Sequence, residues 1–124
     1  MSIDLKHKSL LSPIALIAFN RFNHFKQTLD ALVKNKEAKD SILYVCIDGP
    51  RNTEDKRSQD QISDYVEIIR NEFQNVKIIK QDFNLGLAKH IIQSVTNIVN
   101  QHGKLIVLED DHYVSEAFLK FMND

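Results

Sequence analysis

The chain has one cysteine, three glycines and two prolines in 124 residues, and each scarcity removes a class of answer. Cys46 stands alone inside an apolar, strand-like run, so no disulfide framework can form and a reducing cytosol is implied. With glycine so rare, there is no Gly-rich phosphate loop. No apolar run approaches the roughly 20 residues of a membrane span. The lysines of the first twelve residues lead into no long apolar stretch, which excludes a secretion signal. Sixteen Lys and Arg nearly balance seventeen Asp and Glu, a net charge of −1, so no global field draws nucleic acid or anionic lipid. No serine or cysteine stands in a nucleophile-elbow pattern. His7, His24, His90 and His102 are scattered without metal-ligand spacing.

What is present is a regular alternation. Residues 1–12 read as an N-terminal tail and 13–124 as one domain, large enough to bury about two-thirds of its unfolded surface. Pro13 to Phe19 reads as a buried strand. Phe22, Phe25, Leu29, Leu32 and Val33 recur at helical spacing, predicting a helix to about Asn35. Ile42 to Ile47 is a second strand, stopped by the turn Asp48-Gly49-Pro50. Arg51 to Gln59 is polar and reads as a loop. Ile62, Tyr65, Val66, Ile69 and Phe73 mark a second amphipathic helix, and Val76 to Ile79 a third strand. A third helix runs from Leu87 to Asn100, with Leu87, Ala88, Ile91, Ile92, Val95, Ile98 and Val99 as its apolar side, and His102-Gly103 ends it. Lys104 to Leu108 is a fourth strand. Ser115 reads as the N-cap of a last helix carrying Phe118, Phe121 and Met122. Strand–helix alternation of this kind predicts an α/β fold, a Rossmann-like three-layer sandwich with a mostly parallel sheet.

The polar motifs all fall where a strand or loop meets the next element, on one edge of that sheet. Glu109-Asp110-Asp111 follows the fourth strand directly. Clustered carboxylates repel, and a divalent cation whose shell is completed by phosphate oxygens relieves the repulsion. Asn20-Arg21 follows the first strand, where an arginine fork can reach a diphosphate. Asp48-Gly49 follows the second: the carboxylate can accept from a base N–H or a ribose hydroxyl, and the glycine admits close backbone approach. Asn84-Leu85-Gly86-Leu87 opens the third helix, whose free N–H groups favour an anion, with Lys89 one turn in. Each motif also has a plain structural alternative: a solvated arginine, an Asp-Gly-Pro turn, a shaped loop, an acidic turn before a helix.

In order, Pro13-Ile-Ala-Leu-Ile-Ala-Phe-Asn-Arg21, Ile47-Asp-Gly-Pro-Arg51, Asn84-Leu-Gly-Leu87 and Val107-Leu-Glu-Asp-Asp111 together resemble the N-terminal half of a GT-A glycosyltransferase domain. The likeness is greatest to bacterial family 2 glycosyltransferases and covers Pro13 to the C-terminus. The last piece is similar to the Asp-x-Asp motif of that fold. The resemblance implies that Asn20 and Arg21 line a nucleotide pocket and that Asp48 faces the uracil of a UDP-sugar, with Gly49 letting the backbone approach the ligand. Asn84, Gly86 and Lys89 would approach the donor. Asp110 would contact ribose or donor sugar, Glu109 would support the sugar or the groups behind it, and Asp111 would hold Mn²⁺ or Mg²⁺.

The expected activity is metal-dependent, inverting sugar transfer to an acceptor glycan or lipid-linked sugar, in cell-surface polysaccharide synthesis. The expected place is the cytosol or the inner membrane face. In that family the acceptor site and catalytic base lie well beyond the metal motif, so the expectation here is a donor half, inactive alone, with a sheet edge open to homodimerisation. A receiver domain, a nucleotidyltransferase and a binding module without chemistry are the alternatives; a nucleotidyltransferase should carry a Gly-rich loop after the first strand, absent here. A receiver places its acidic pair after the first strand, where this chain has Asn20-Arg21.

Overall fold

The structure, a computed structural model, describes residues 11–112 and 114–124, so His7 and most of the predicted tail lie outside the described residues. Four strands form one parallel sheet: β1 (Ile14–Ala18), β2 (Ile42–Ile47), β3 (Asn75–Lys80) and β4 (Ile106–Glu109), in the order β3-β2-β1-β4. The helices between them are α1 (Phe22–Val33), α2 (Thr53–Ile69) and α3 (Leu87–His102), and α4 (Phe118–Asn123) closes the described chain. β1 lies between β2 and β4, with Ile14 opposite both Leu43 and Ile106. The connection after β1 leads to one side of it and the connection after β3 returns to the other. The carboxyl ends of β1 and β4 therefore flank a topological switch point, where open α/β sheets leave a crevice for ligands.

Alternation along β1 separates two cores. Ile14, Leu16 and Ala18 join Phe25, Leu29 and Leu32 of α1, Ile62 and Val66 of α2, and Leu119 of α4. Ala15 and Ile17 face the other way, with Tyr44, Cys46 and Ile98 of α3. The predicted three-layer α/β sandwich is thus the observed one. Burial pushes the Cys46 thiol up to about 11, against a smaller lowering by the Ser94 hydroxyl, so it packs as a small apolar group.

Several predicted details differ, among them Phe73, which lies beyond the end of α2 at Ile69, and Glu109, which is the last residue of β4 rather than the first after it. The polar stretch Arg51 to Gln59 is not a loop; from Thr53 it is the first two turns of α2. Asn52 caps that end by accepting the Asp55 N–H at 2.9 Å, and Glu54 and Asp55 suit the positive end of the helix. The inward stripe of α2 runs Asp55, Gln59, Ile62, Val66, so its first two members are polar and hide the helical period.

The inward face of α3 is also rotated from the predicted one: His90, Ser94 and Ile98 are buried, while Leu87, Ala88 and Ile92 are exposed. Lastly, α4 starts after Ala117, with Ser115 accepting the Ala117 N–H in the preceding turn, and it buries Leu119 rather than Phe121 or Met122. Asn35 ties α4 down: its side chain accepts from Leu119 N–H at 2.9 Å and donates to Ser115 O at 3.0 Å. At the chain's other end, the Ser12 N–H donates to the Asn123 side chain at 2.7 Å.

Candidate functional site

The carboxyl ends of β1, β2 and β4 and the start of α3 enclose a cleft of about 310 Å³. Of the residues singled out from sequence, Asn20, Arg21, Asp48, Asn84, Gly86, Glu109 and Asp110 line it. Asp111, Gly49 and Lys89 do not: Asp111 is half-exposed next to the cleft, Gly49 is buried behind it, and Lys89 is exposed on the first turn of α3.

Arg21 brings β1 and β4 together. Its Nη2 lies 2.5 Å from Asp110 Oδ1 and 3.8 Å from Asp111 Oδ2. Asp110 is buried, and that desolvation pushes its carboxyl above the usual range, against the lowering by Arg21. The acidic turn is fastened from below. Thr28 Oγ1 lies 2.9 Å from Asp110 O and 2.8 Å from His112 O, sharing its one proton between the two carbonyls. His112 N–H donates to Glu109 O at 3.2 Å, and His112 Nδ1 accepts Glu109 N–H at 3.2 Å. His112 therefore shapes the turn.

Asp48 joins β2 to α3. Oδ1 accepts the N–H groups of Gly49 and Leu85, each at 2.8 Å, and Oδ2 accepts Gly86 N–H at 3.1 Å and Asn84 Nδ2 at 3.4 Å. A carboxylate has about four lone-pair sites, so these donors nearly saturate it. It supplies from within the chain the negative charge that a helix start attracts. The close approach that Gly49 permits is also internal: a Cβ there would lie 2.2 Å from the Phe83 carbonyl carbon.

Four cleft-side residues escaped the sequence reading. Arg51 lines the mouth, its guanidinium 4.8 Å over the Phe19 ring. Behind it, Gln59 Nε2 donates to Asp48 O at 2.8 Å, and Asp55 accepts from Asn20 Nδ2 at 2.9 Å. The signal for Asp55 and Gln59 is their place in one stripe with Ile62 and Val66: polar residues on the inward face of a helix. The fourth is His90, only 1 % exposed. Its Nε2 lies 2.9 Å from Cys46 O, and a carbonyl only accepts, so Nε2 carries the proton. In the neutral ring, Nδ1 is then a buried acceptor with no partner among the described residues, in a side chain that lines the cleft. No spacing rule finds a lone histidine.

Among the described residues, no three His, Cys, Asp or Glu side chains converge as a metal cage. The hard oxygen donors beside the cleft, Asp111 foremost, fit a Mg²⁺- or Mn²⁺-type ion that takes one or two carboxylates and the rest of its shell from phosphate and water. No family model matches the chain, and no curated protein matches it.

Proposed function

We propose that this domain binds a nucleoside-diphosphate sugar, with uridine as the nucleoside, together with Mn²⁺ or Mg²⁺, and serves as the donor site of an inverting glycosyltransferase. The observation that carries the reading is the meeting of Arg21 with Asp110 and Asp111 across the β1/β4 switch point. One cation and two carboxylates at a crevice mouth can hold a diphosphate and its counter-ion at once. The cleft matches that ligand in kind: apolar walls from Ile17, Ala18 and Leu87, with a few polar groups, as nucleotide sites have.

A bound divalent ion would stabilise the charge that develops on the departing nucleoside diphosphate. The chain's own part is to orient. Arg21 grips the pyrophosphate, Asp111 offers the ion an oxygen, and Glu109 and Asp110 accept hydroxyls of ribose or sugar. Calorimetric titration of the wild-type chain with UDP, with and without Mn²⁺, tests this. Mn²⁺ is expected to tighten UDP binding in the wild type and to have no such effect in Asp111→Ala. Equal affinity with and without the ion in both proteins removes the donor-site reading.

A further inference from the structure

Asp55 sits one layer behind the cleft on the first turn of α2. It is 4 % exposed, and its carboxylate contacts go to loops at the carboxyl edge of the sheet. Oδ1 accepts Asn20 Nδ2 at 2.9 Å, and Oδ2 accepts both the Arg51 backbone N–H and Arg51 Nε at 3.0 Å. An ionised carboxylate only accepts, so Asn20 must present its NH₂ group to Asp55, which leaves Oδ1 as an acceptor with no partner among the described residues. Arg51 is fixed three ways: by its backbone, by Nε, and by the Phe19 ring under its guanidinium.

The two arginines at the cleft are used differently. Arg21 spends a terminal nitrogen on Asp110. Arg51 spends Nε and, among the described residues, has no hydrogen bond from Nη1 or Nη2, the fork that matches phosphate oxygens in pairs. A long arginine side chain loses rotamer freedom when it grips an anion. One already held loses less, which is the gain from preorganisation.

We propose that Asp55 is a positioning residue that holds Arg51 on Phe19, with its terminal guanidinium nitrogens presented to a phosphate of the bound nucleotide and Asn20 locked beside it. The inference rests on the donor-site reading and adds to it a second arginine that grips phosphate, beside Arg21, and the residue that aims it. If Asp55 only stabilised the start of α2, its loss would lower stability and leave affinity for phosphate unchanged.

Titration of the full chain with UDP and with uridine, in Mn²⁺, separates the possibilities. Arg51→Ala, an exposed side chain, and Asp55→Asn, nearly the same shape, are each expected to weaken UDP about tenfold. The double variant is expected to be no weaker than either single, because both remove one contact, and uridine affinity is expected to stay unchanged throughout. UDP binding by Arg51→Ala equal to wild type overturns the inference and leaves the donor site standing. So do additive losses, or uridine weakened as much as UDP. A wild-type chain that binds no UDP overturns both.

Discussion

Gly49 shows what a single residue type decides at this site. The backbone of Phe83 and Asn84 passes so close that any side chain at 49 collides with main-chain atoms, which cannot rotate away. Gly49→Ala is expected to cost about 1–3 kcal/mol or more in urea unfolding, as an overpacked core site does. A cost near zero would mean that the 83–84 segment lies elsewhere in solution.

Asp55 gives a second test at this scale. Hydrogen bonds from Arg51, then from Asn20, hold its carboxyl down to about 2, against an ordinary 3.8. A carboxyl lower in the folded than the unfolded state stabilises the fold above its unfolded value and loses that contribution as pH falls through the folded one. Between about pH 3.8 and about pH 2, wild-type stability is therefore expected to drop more steeply than that of Asp55→Asn. Parallel urea midpoints across that window would show the contact to be absent in solution.

Among the elements, α2 and α3 carry the tests, because both depart from their sequence patterns. Asn52→Ala removes the cap of α2 and is expected to cost about 1 kcal/mol, with faster hydrogen exchange confined to the first turn of that helix. No change in exchange would return this stretch to the loop its polarity suggests. For α3, Ile98→Ala is expected to cost about 2–5 kcal/mol and Ile92→Ala to stay within about 0.5 kcal/mol, since Ile98 is buried and Ile92 exposed. Equal costs would restore the apolar face drawn from periodicity alone. The pattern misled because His90 and Ser94 occupy buried positions: one donates to a strand carbonyl, and the other lies against the Cys46 thiol.

Over the whole molecule, charge is balanced but its placement is not. Arg21, Arg51, Asp48, Glu109 and Asp110 gather at one edge of the sheet. A diphosphate held there by partly exposed arginines is screened by salt, whereas a nucleoside is not. Raising ionic strength from about 0.05 to about 0.5 M is therefore expected to weaken UDP binding several-fold and leave uridine binding unaltered. Among the described residues, no helix is long and apolar enough to cross a membrane.

The strand runs, the alternation and the parallel sheet were legible in the sequence, because burying both faces of a strand demands continuous Ile, Leu and Val, as in Ile14–Ala18 and Ile42–Ile47. The ends of those strands were legible for the same reason, and with them the shared edge on which Asn20, Arg21, Asp48 and Asp110 stand. Only the tertiary structure decided what each of these groups is bonded to. Asp48 turned inward to the α3 start, Arg21 crossed to Asp110, and Asp55 and His90 entered from positions with no local mark. Partners far apart in sequence are chosen by packing and by the need to satisfy buried polar atoms, and neither leaves a periodic trace along the chain.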